Sequence, residues 1–380
     1  MREGMRVLWT SHSGHRGGAQ SALSEGVDAL AERGHEVHVV LPEEGDLRDQ
    51  LARAASVRVV YHAWWMSHDL PVRTRLARLG VNVLRARSTL ARVARKVSAD
   101  VVVANTMVTP APALAARSAR LPLVWYLHEF GDLDHRLDFD WGRAPTLRAI
   151  HALSTRVMAN SEAVAGYVAE WIPRRKIDVV RYAVNVDESI PRRRKNGEPL
   201  RFLLLGRRTP RKGLEEAIRA LAALPRDGRP VRLDLVGPGL PAYDEWLREL
   251  IRELDVADRA FLLPFDPRPE TRIAEADVLL MCSAMEAFGR VTVEAQKLGV
   301  PVIAAAAGGS MELVAHGETG LLYAPGDVAA LTGSMAALRD REELRLSLGR
   351  RAREESRRTF SSQRYGSELE SVLRRASGRS

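Results

Sequence analysis

Cys282-Ser-Ala-Met-Glu286-Ala-Phe-Gly-Arg-Val-Thr-Val-Glu294-Ala-Gln-Lys-Leu-Gly-Val-Pro301-Val-Ile303 is the stretch that decides the fold. An apolar run over 277–282 precedes it, and another over 300–304 closes it. Both are short, and both predict buried strands. Between them a Phe-Gly turn leads into a helix. Strand, loop, helix, strand is the repeating unit of a sheet covered on both faces. In open sheets of that kind, ligands sit beyond the carboxyl ends of the strands. A loop-to-helix junction there offers free backbone N–H groups to an anion. Glu286 and Glu294 flank this junction, so the pattern suits a ligand that carries both phosphate and hydroxyls.

The same alternation runs through the rest of the chain. Strands are predicted at 6–10, 36–41, 57–61, 101–104, 123–127, 156–159 and 178–181, with a helix at 19–33 that Gly34 stops. The run 190–199 holds two prolines, a glycine and a charge cluster, which marks a linker. A second series then starts. It has strands at 201–205, 232–236, 260–263, 277–281, 300–304 and 320–323, helices at 214–223 and 242–253, and a helical tail over 328–376. The fold class is α/β, with two doubly wound domains facing each other across a cleft.

A chain of 380 residues exceeds one ordinary core, and 46% hydrophobic with 28% charged residues is ordinary for a globular protein. The single cysteine, Cys282, excludes an internal disulfide and fits a reducing cytoplasm. No apolar run of membrane length and no signal peptide is present, so a cytoplasmic protein without a transmembrane anchor is expected. The net charge of +9 has two readings. One is an anionic partner, either nucleic acid or a membrane. The other is codon composition, because only five of the 57 basic residues are lysines. The segment 72–97 holds eight basic residues and no acid. As a helix it gathers Leu76, Leu79, Val83, Leu90, Val93 and Val97 on one side, with Arg78, Arg85, Arg92 and Arg95 opposite. Such a face is either merely solvated or touches anionic headgroups or an anionic acceptor.

Several residues are candidates for chemistry. Gly206-Arg207-Arg208-Thr-Pro-Arg-Lys212-Gly213 follows a strand and opens a helix. Arg207 and Lys212 can both reach a diphosphate there, or they are surface charges at a helix start. His128, just past an apolar strand, can donate to a hydroxyl or a phosphate, or it is a satisfied loop histidine. The first loop holds Gly17 and Gly18 without a GxGxxG pattern, which argues against a dinucleotide. Asp132-Leu-Asp134 and Asp138-Phe-Asp140 match a short metal-binding string that also occurs by chance in surface loops. No His/Cys cluster has metal-ligand spacing. The pair Trp64-Trp65 either stacks on a ring of the acceptor or packs in the core.

On these residues the chain resembles the retaining GT-B glycosyltransferases of family 4. Glu286 and Glu294 match the family's E-x7-E motif, and Gly308-Gly309-Ser310-Met-Glu312 with Gly317-Glu-Thr-Gly320 match the segments after it. Gly206-Arg207 and Lys212-Gly213 look like its diphosphate-binding pair, and His128 like its N-domain histidine. Gly17-Gly18-Ala19-Gln20, Gly34-His35-Glu36-Val37 and Asn185-Val186-Asp187 look like further landmarks. Arg290 stands where the family often has a small apolar residue.

The resemblance implies two Rossmann-like domains: an acceptor-binding domain over 1–185, a linker over 186–199, a donor-binding domain over 200–357, and a C-terminal helix over 358–380 packing back on the first. It implies a catalytic set of His128, Glu286, Arg207 and Lys212, and a donor-binding set of Gly17, Gly18, Arg207, Lys212, Glu286, Phe288, Gly289, Arg290 and Glu294. Glu286 would contact the transferred sugar and Glu294 the ribose. Backbone N–H groups at Phe288, Gly289 and Arg290 would meet sugar hydroxyls or phosphate, and Arg207 and Lys212 would neutralise the leaving diphosphate. The implied reaction moves a hexosyl-type sugar, with retention, from a UDP- or GDP-sugar to a hydroxyl. The acceptor would be a small molecule, a glycan or a lipid-linked compound, for a cell-envelope product or a secondary metabolite. No cofactor and no divalent metal are expected. The alternative is a nucleotide-sugar epimerase or another non-transferase enzyme on the same fold. Nucleic acid is not an expected partner, because basic and aromatic residues do not interleave. Peripheral contact with an anionic membrane through 72–97, at its inner face, is part of the expectation.

Overall fold

The computed structural model describes residues 4–66, 72–135, 137–190 and 197–379. The linker positions 191–196 lie outside the described residues, as do the side chains of Arg73, Arg75, Leu76, Arg78 and Leu79. The chain forms two compact units. One joins Met1–Val184 to Phe360–Ser380, and the other is Asn185–Thr359.

The first unit is built on a seven-stranded sheet: β1 (Arg6–Thr10), β2 (Glu36–Leu41), β3 (Ser56–Val59), β4 (Val101–Asn105), β5 (Leu123–Leu127), β6 (Arg156–Ala159) and β7 (Ile177–Val179). Its order is β3-β2-β1-β4-β5-β6-β7, with every neighbouring pair parallel. The central strands are apolar over most of their length, and β4 and β5 are buried at every position. That is the pattern of strands covered on both faces. Sheet order reverses between β1 and β4, the topological switch point.

The tail returns to this unit. Helix Ser362–Ser377 starts at Ser361, whose hydroxyl accepts from Arg364 N. It buries Tyr365, Leu369, Val372, Leu373 and Ala376, a stripe at helical spacing. Tyr365 Oη donates to Ala22 O at 3.1 Å. Gly366 passes so close to helix Gly18–Glu32 that a Cβ on it would lie 2.9 Å from Ala29 O.

The second unit carries β8 (Leu200–Leu205), β9 (Val231–Val236), β10 (Ala260–Leu263), β11 (Val278–Met281), β12 (Val302–Ala305) and β13 (Gly320–Tyr323). Their order is β10-β9-β8-β11-β12-β13, again all parallel. Here the switch point lies between β8 and β11. Phe202, Leu204, Leu233, Leu235, Leu280 and Ile303 form the centre of one core, which helices Leu214–Ala223 and Val328–Asp340 cover. No described helix is long and apolar enough to cross a membrane.

Candidate functional site

The β8–β11 switch point gathers most of the residues singled out above. Gly206 ends β8 at φ +146°, and Gly237 ends β9 at φ +147°. A Cβ on Gly237 would lie 2.1 Å from Gly206 O, so the two strand ends touch through bare backbone. Arg207 and Arg208 follow, and the fold separates them. Arg208 is buried and holds Asp244 with two bonds, Nε–Oδ1 at 2.8 Å and Nη2–Oδ2 at 2.6 Å, while Nη1 donates to Gly237 O. It fastens the ends of β8 and β9 to helix Pro241–Glu253. Arg207 is exposed at the edge, and no carboxylate pairs with it among the described residues.

Lys212 ends a short 3-10 turn, and Gly213 follows at φ +68°. A Cβ on Gly213 would sit 2.2 Å from Cys282 O, so glycine is required for this turn to reach the loop after β11. The contact brings Lys212 Nζ to 2.8 Å from Glu286 Oε2. Burial pushes the Glu286 carboxyl up, but the Lys212 charge and hydrogen bond, followed by the Arg211 charge, outweigh it and hold the group below its usual range.

The loop then passes the buried Phe288 to Gly289, which caps helix Arg290–Lys297 at φ +96°. Arg290 Nε and Glu294 Oε1 lie 3.5 Å apart one turn along that helix. Gly308 and Gly309 press against the same loop. Gly309 N donates to Glu286 O at 2.7 Å, and a Cβ on Gly308 would lie 2.3 Å from that oxygen. Three hydroxyls on these loops, Thr209 Oγ1, Thr292 Oγ1 and Ser310 Oγ, are buried without a protein partner. Buried polar atoms are rarely left so, which marks the edge as a place that can receive a polar ligand.

Gly17, Gly18 and His128 belong to the first unit, at its own switch point. Gly17 and Gly18 are exposed at the start of helix Gly18–Glu32, whose first turn carries no acid. Asn105 closes β4 and joins this turn to the histidine. Its Nδ2 donates to Ala19 O at 3.1 Å, which directs Oδ1 to His128 Nε2 at 2.7 Å. On the other side, Asn160 Nδ2 donates both to His128 O at 2.9 Å and to Tyr182 Oη at 2.8 Å. The Tyr182 proton is then left for His128 Nδ1, 2.5 Å away. Each amide is oriented by a backbone carbonyl, so the network assigns the proton to Nε2 and keeps the ring neutral. Burial, and then the nearby His12, hold the ring well below the usual histidine range. Asn105, Asn160 and Tyr182 were missed from the sequence. The signal was that Asn105, His128 and Asn160 are each the first polar residue to follow an apolar strand.

Glu129 lies beneath this network. It accepts from Met107 N at 2.9 Å and His128 N at 3.2 Å. Burial pushes its carboxyl up from 4.5 to about 8. The unfolded chain loses this proton near 4.5 and the native chain only near 8, so the native state binds more protons between them. Stability is therefore expected to fall as pH rises across that window. Glu129→Gln is expected to flatten the fall, measured as urea midpoints at both ends of the window. Equal slopes in the two proteins would refute it.

The tryptophan pair divides. Trp65 is buried, stacks on Trp125 at 5.8 Å and donates to Met107 O at 2.6 Å. Trp64 is 43% exposed, with its indole N–H on His12 O. The first Asp string is engaged by the protein. Asp132 pairs with Arg143 at 2.6 Å, and Asp134 accepts from Phe130 N and Gly131 N. Among the described residues no group of three or more His, Cys, Asp or Glu side chains could hold a metal ion.

Known proteins match both units of the chain. The family model for glycosyltransferase family 4 matches residues 16–188, and that for glycosyl transferases group 1 matches 185–355. Each half of the chain thus resembles a glycosyltransferase, family 4 in the first and group 1 in the second. It is 38% identical over 207 residues to D-inositol 3-phosphate glycosyltransferase of Corynebacterium glutamicum, covering 51% of this chain and 49% of that protein. The chain thus spans about half the length of the first curated relatives it matches. It is 28% identical over 366 residues to the GDP-mannose-dependent alpha-(1-6)-phosphatidylinositol monomannoside mannosyltransferase of Mycobacterium tuberculosis, covering 89% of this chain and 90% of that one. Anabaena HepE, solved in complex with UDP and glucose, superposes with a TM-score of 0.78 at 25% identity, over 97% of this chain and 99% of that one. The chain has the GT-B fold of its structural neighbours, here with Rossmann-like sheets of seven and six parallel strands.

Proposed function

We infer that this protein is a retaining glycosyltransferase that moves a hexosyl group from a UDP- or GDP-sugar to a hydroxyl acceptor. The observation that carries the reading is the Lys212–Glu286 pair at the β8–β11 switch point, beside the Gly289 cap and the Gly308-Gly309 turn. In this reading the diphosphate lies along the strand ends. Arg207 and Lys212 face its growing charge as the glycosidic bond breaks, which is where preplaced cations help most. Their charge takes the place of a divalent metal. Glu286 anchors hydroxyls of the transferred sugar and Glu294 those of the ribose. Backbone N–H groups at Phe288, Gly289 and Arg290 meet sugar hydroxyls or phosphate.

Gly17 and Gly18 lie on the acceptor side. His128 is neutral and not a cation, and in this reading it can donate to a sugar hydroxyl only by moving its Nε2 proton off Asn105 Oδ1. Glu286 pairs with Lys212, and this reading gives no carboxylate the part of nucleophile. That favours front-face departure through an oxocarbenium-like state, with retention. The relatives named above support a nucleotide-sugar donor, and the matched mannosyltransferase acts on a lipid. We place the reaction in the cytoplasm, with a glycan, lipid-linked or small-molecule acceptor.

A thermal-shift panel of UDP-, GDP- and dTDP-sugars tests the reading. A matched donor at a hundred times its Kd is expected to add about 2.7 kcal/mol to the native state. No shift with any donor would overturn it. Donor incubated without acceptor should keep its sugar configuration; an epimerised nucleotide sugar would establish the alternative enzyme class.

A further inference from the structure

Helix Arg290–Lys297 starts at the β8–β11 edge and is fixed in rotation. Thr292, Val293, Ala295, Gln296 and Lys297 are buried, and Gln296 Nε2 donates to Leu313 O at 2.6 Å. Arg290, Val291 and Glu294 are left partly open, and at about 100° per residue they share one arc. Helical side chains lean toward the helix start, so Glu294 reaches back toward Arg290. Arg290 Nε stands 3.5 Å from Glu294 Oε1, with the two side chains 16% and 17% exposed.

Helix stability does not account for this arginine. Arg290 opens the helix, where the positive end of the backbone dipole disfavours a cation. The order of the pair is also the weaker one, since a carboxylate one turn ahead of a cation gains more than the reverse. A mostly covered ion pair seldom repays its desolvation. What the pair does is hold one arrangement of the Glu294 carboxylate before any ligand arrives.

We propose, resting on the reading of Glu294 as the ribose anchor, that Arg290 is a positioning residue that restricts the donor to ribonucleotides. It sets the Glu294 carboxylate to take both the 2′- and the 3′-hydroxyl. A carboxylate only accepts, and with about four lone-pair sites it can keep Arg290 and still take two hydroxyls. A 2′-deoxyribose offers one hydroxyl there. It leaves a positioned, charged oxygen short of its partner, which costs more than a lost neutral contact. The dTDP-sugars, whose pentose is 2′-deoxy, are then poor donors, while UDP- and GDP-sugars satisfy the site. Without the arginine the carboxylate is no longer held to this geometry, and the discrimination fades.

Isothermal titration of the full chain compares UDP with 2′-deoxy-UDP, and GDP with 2′-deoxy-GDP. The parent is expected to bind one ribonucleotide roughly tenfold to a hundredfold more tightly than its deoxy partner, the range for one hydrogen bond to a charged group. Arg290→Leu should shrink that ratio to about fivefold or less, the range for a hydrogen bond without a positioned charge. Arg290→Gln, neutral and closer in shape, carries the same expectation should leucine disturb the fold, and circular dichroism melting checks both. Glu294→Gln should shrink the ratio alike, and adding Arg290→Leu to it should shrink it no further, because one residue acts through the other. Equal loss of affinity for the ribo and deoxy forms in both Arg290 variants would overturn the proposal and leave the transferase reading standing. So would a parent that binds the two forms equally, or additive losses in the double variant. A parent that binds none of the four nucleotides would overturn the proposal together with the donor reading.

Discussion

Lys212→Ala is expected to lower kcat for transfer by about 10²–10³-fold, the usual loss when one preplaced group facing developing charge is removed. The expectation has two parts. The ammonium would no longer meet the leaving diphosphate. Glu286 would also lose the partner that keeps its carboxyl low, since Lys212 supplies both the leading charge and a hydrogen bond there. The two side chains are 16% and 18% exposed, so the unpaired carboxylate still finds water. The stability loss should therefore stay near 1–2 kcal/mol, and the chain should remain folded. Lys212→Arg keeps the charge but replaces a compact ammonium with a planar fork, and should recover only part of the rate. Because the two groups touch, Glu286→Gln combined with Lys212→Ala should cost less than the sum of the single losses. Full kcat in Lys212→Ala would remove the ammonium from the mechanism.

Gly308→Ala should be strongly damaging, as should Gly213→Ala and Gly237→Ala, whose added carbons would also overlap backbone. Gly308 has φ +54°, and the new carbon would lie 2.3 Å from Glu286 O and 3.1 Å from Glu286 N. The nearest atoms are all Glu286 backbone, so no flexible side chain can yield. A loss of about 3 kcal/mol or more is expected, with the Glu286 loop displaced. Gly317→Ala is the control. Gly317 has φ +75° and nothing within 4 Å of the added carbon, so it should lose only the left-handed backbone term, about 1 kcal/mol. Urea midpoints of the two variants measure the difference. Equal midpoints would show that the Gly308 turn moves aside freely.

Much of this architecture was legible because buried parallel strands announce themselves as apolar runs. The loop between β11 and helix Arg290–Lys297 was legible for the same reason, being framed by two such runs. Helices Ala111–Ala119, Arg143–Leu153 and Glu162–Val168 were not assigned. They are short, and the first is mostly alanine, with little contrast between its faces. Adjacent residues were harder still. Nothing in Arg207-Arg208 says which arginine turns inward; Asp244, thirty-six residues on, decides it. Trp64 and Trp65 part in the same way, because Trp125 provides a buried face for only one of them. Of the His128 network only the histidine was singled out, because asparagine and tyrosine carry no periodic signature and the contacts that align them are long-range.

The returning helix Ser362–Ser377 has a consequence for how the protein is made. The first unit is discontinuous in sequence and the second is an uninterrupted insert. During synthesis the insert emerges whole and can complete its core while the chain is still being extended. The first-made sheet must wait, with the face of helix Gly18–Glu32 uncovered, for helix Ser362–Ser377 to leave the ribosome. Trp9 belongs to this late step, since it packs against Gly26, beside which Leu369 arrives last. The first sheet is thus made before the second unit and finished after it, and a chain stalled ahead of that helix would display the apolar stripe to the chaperones.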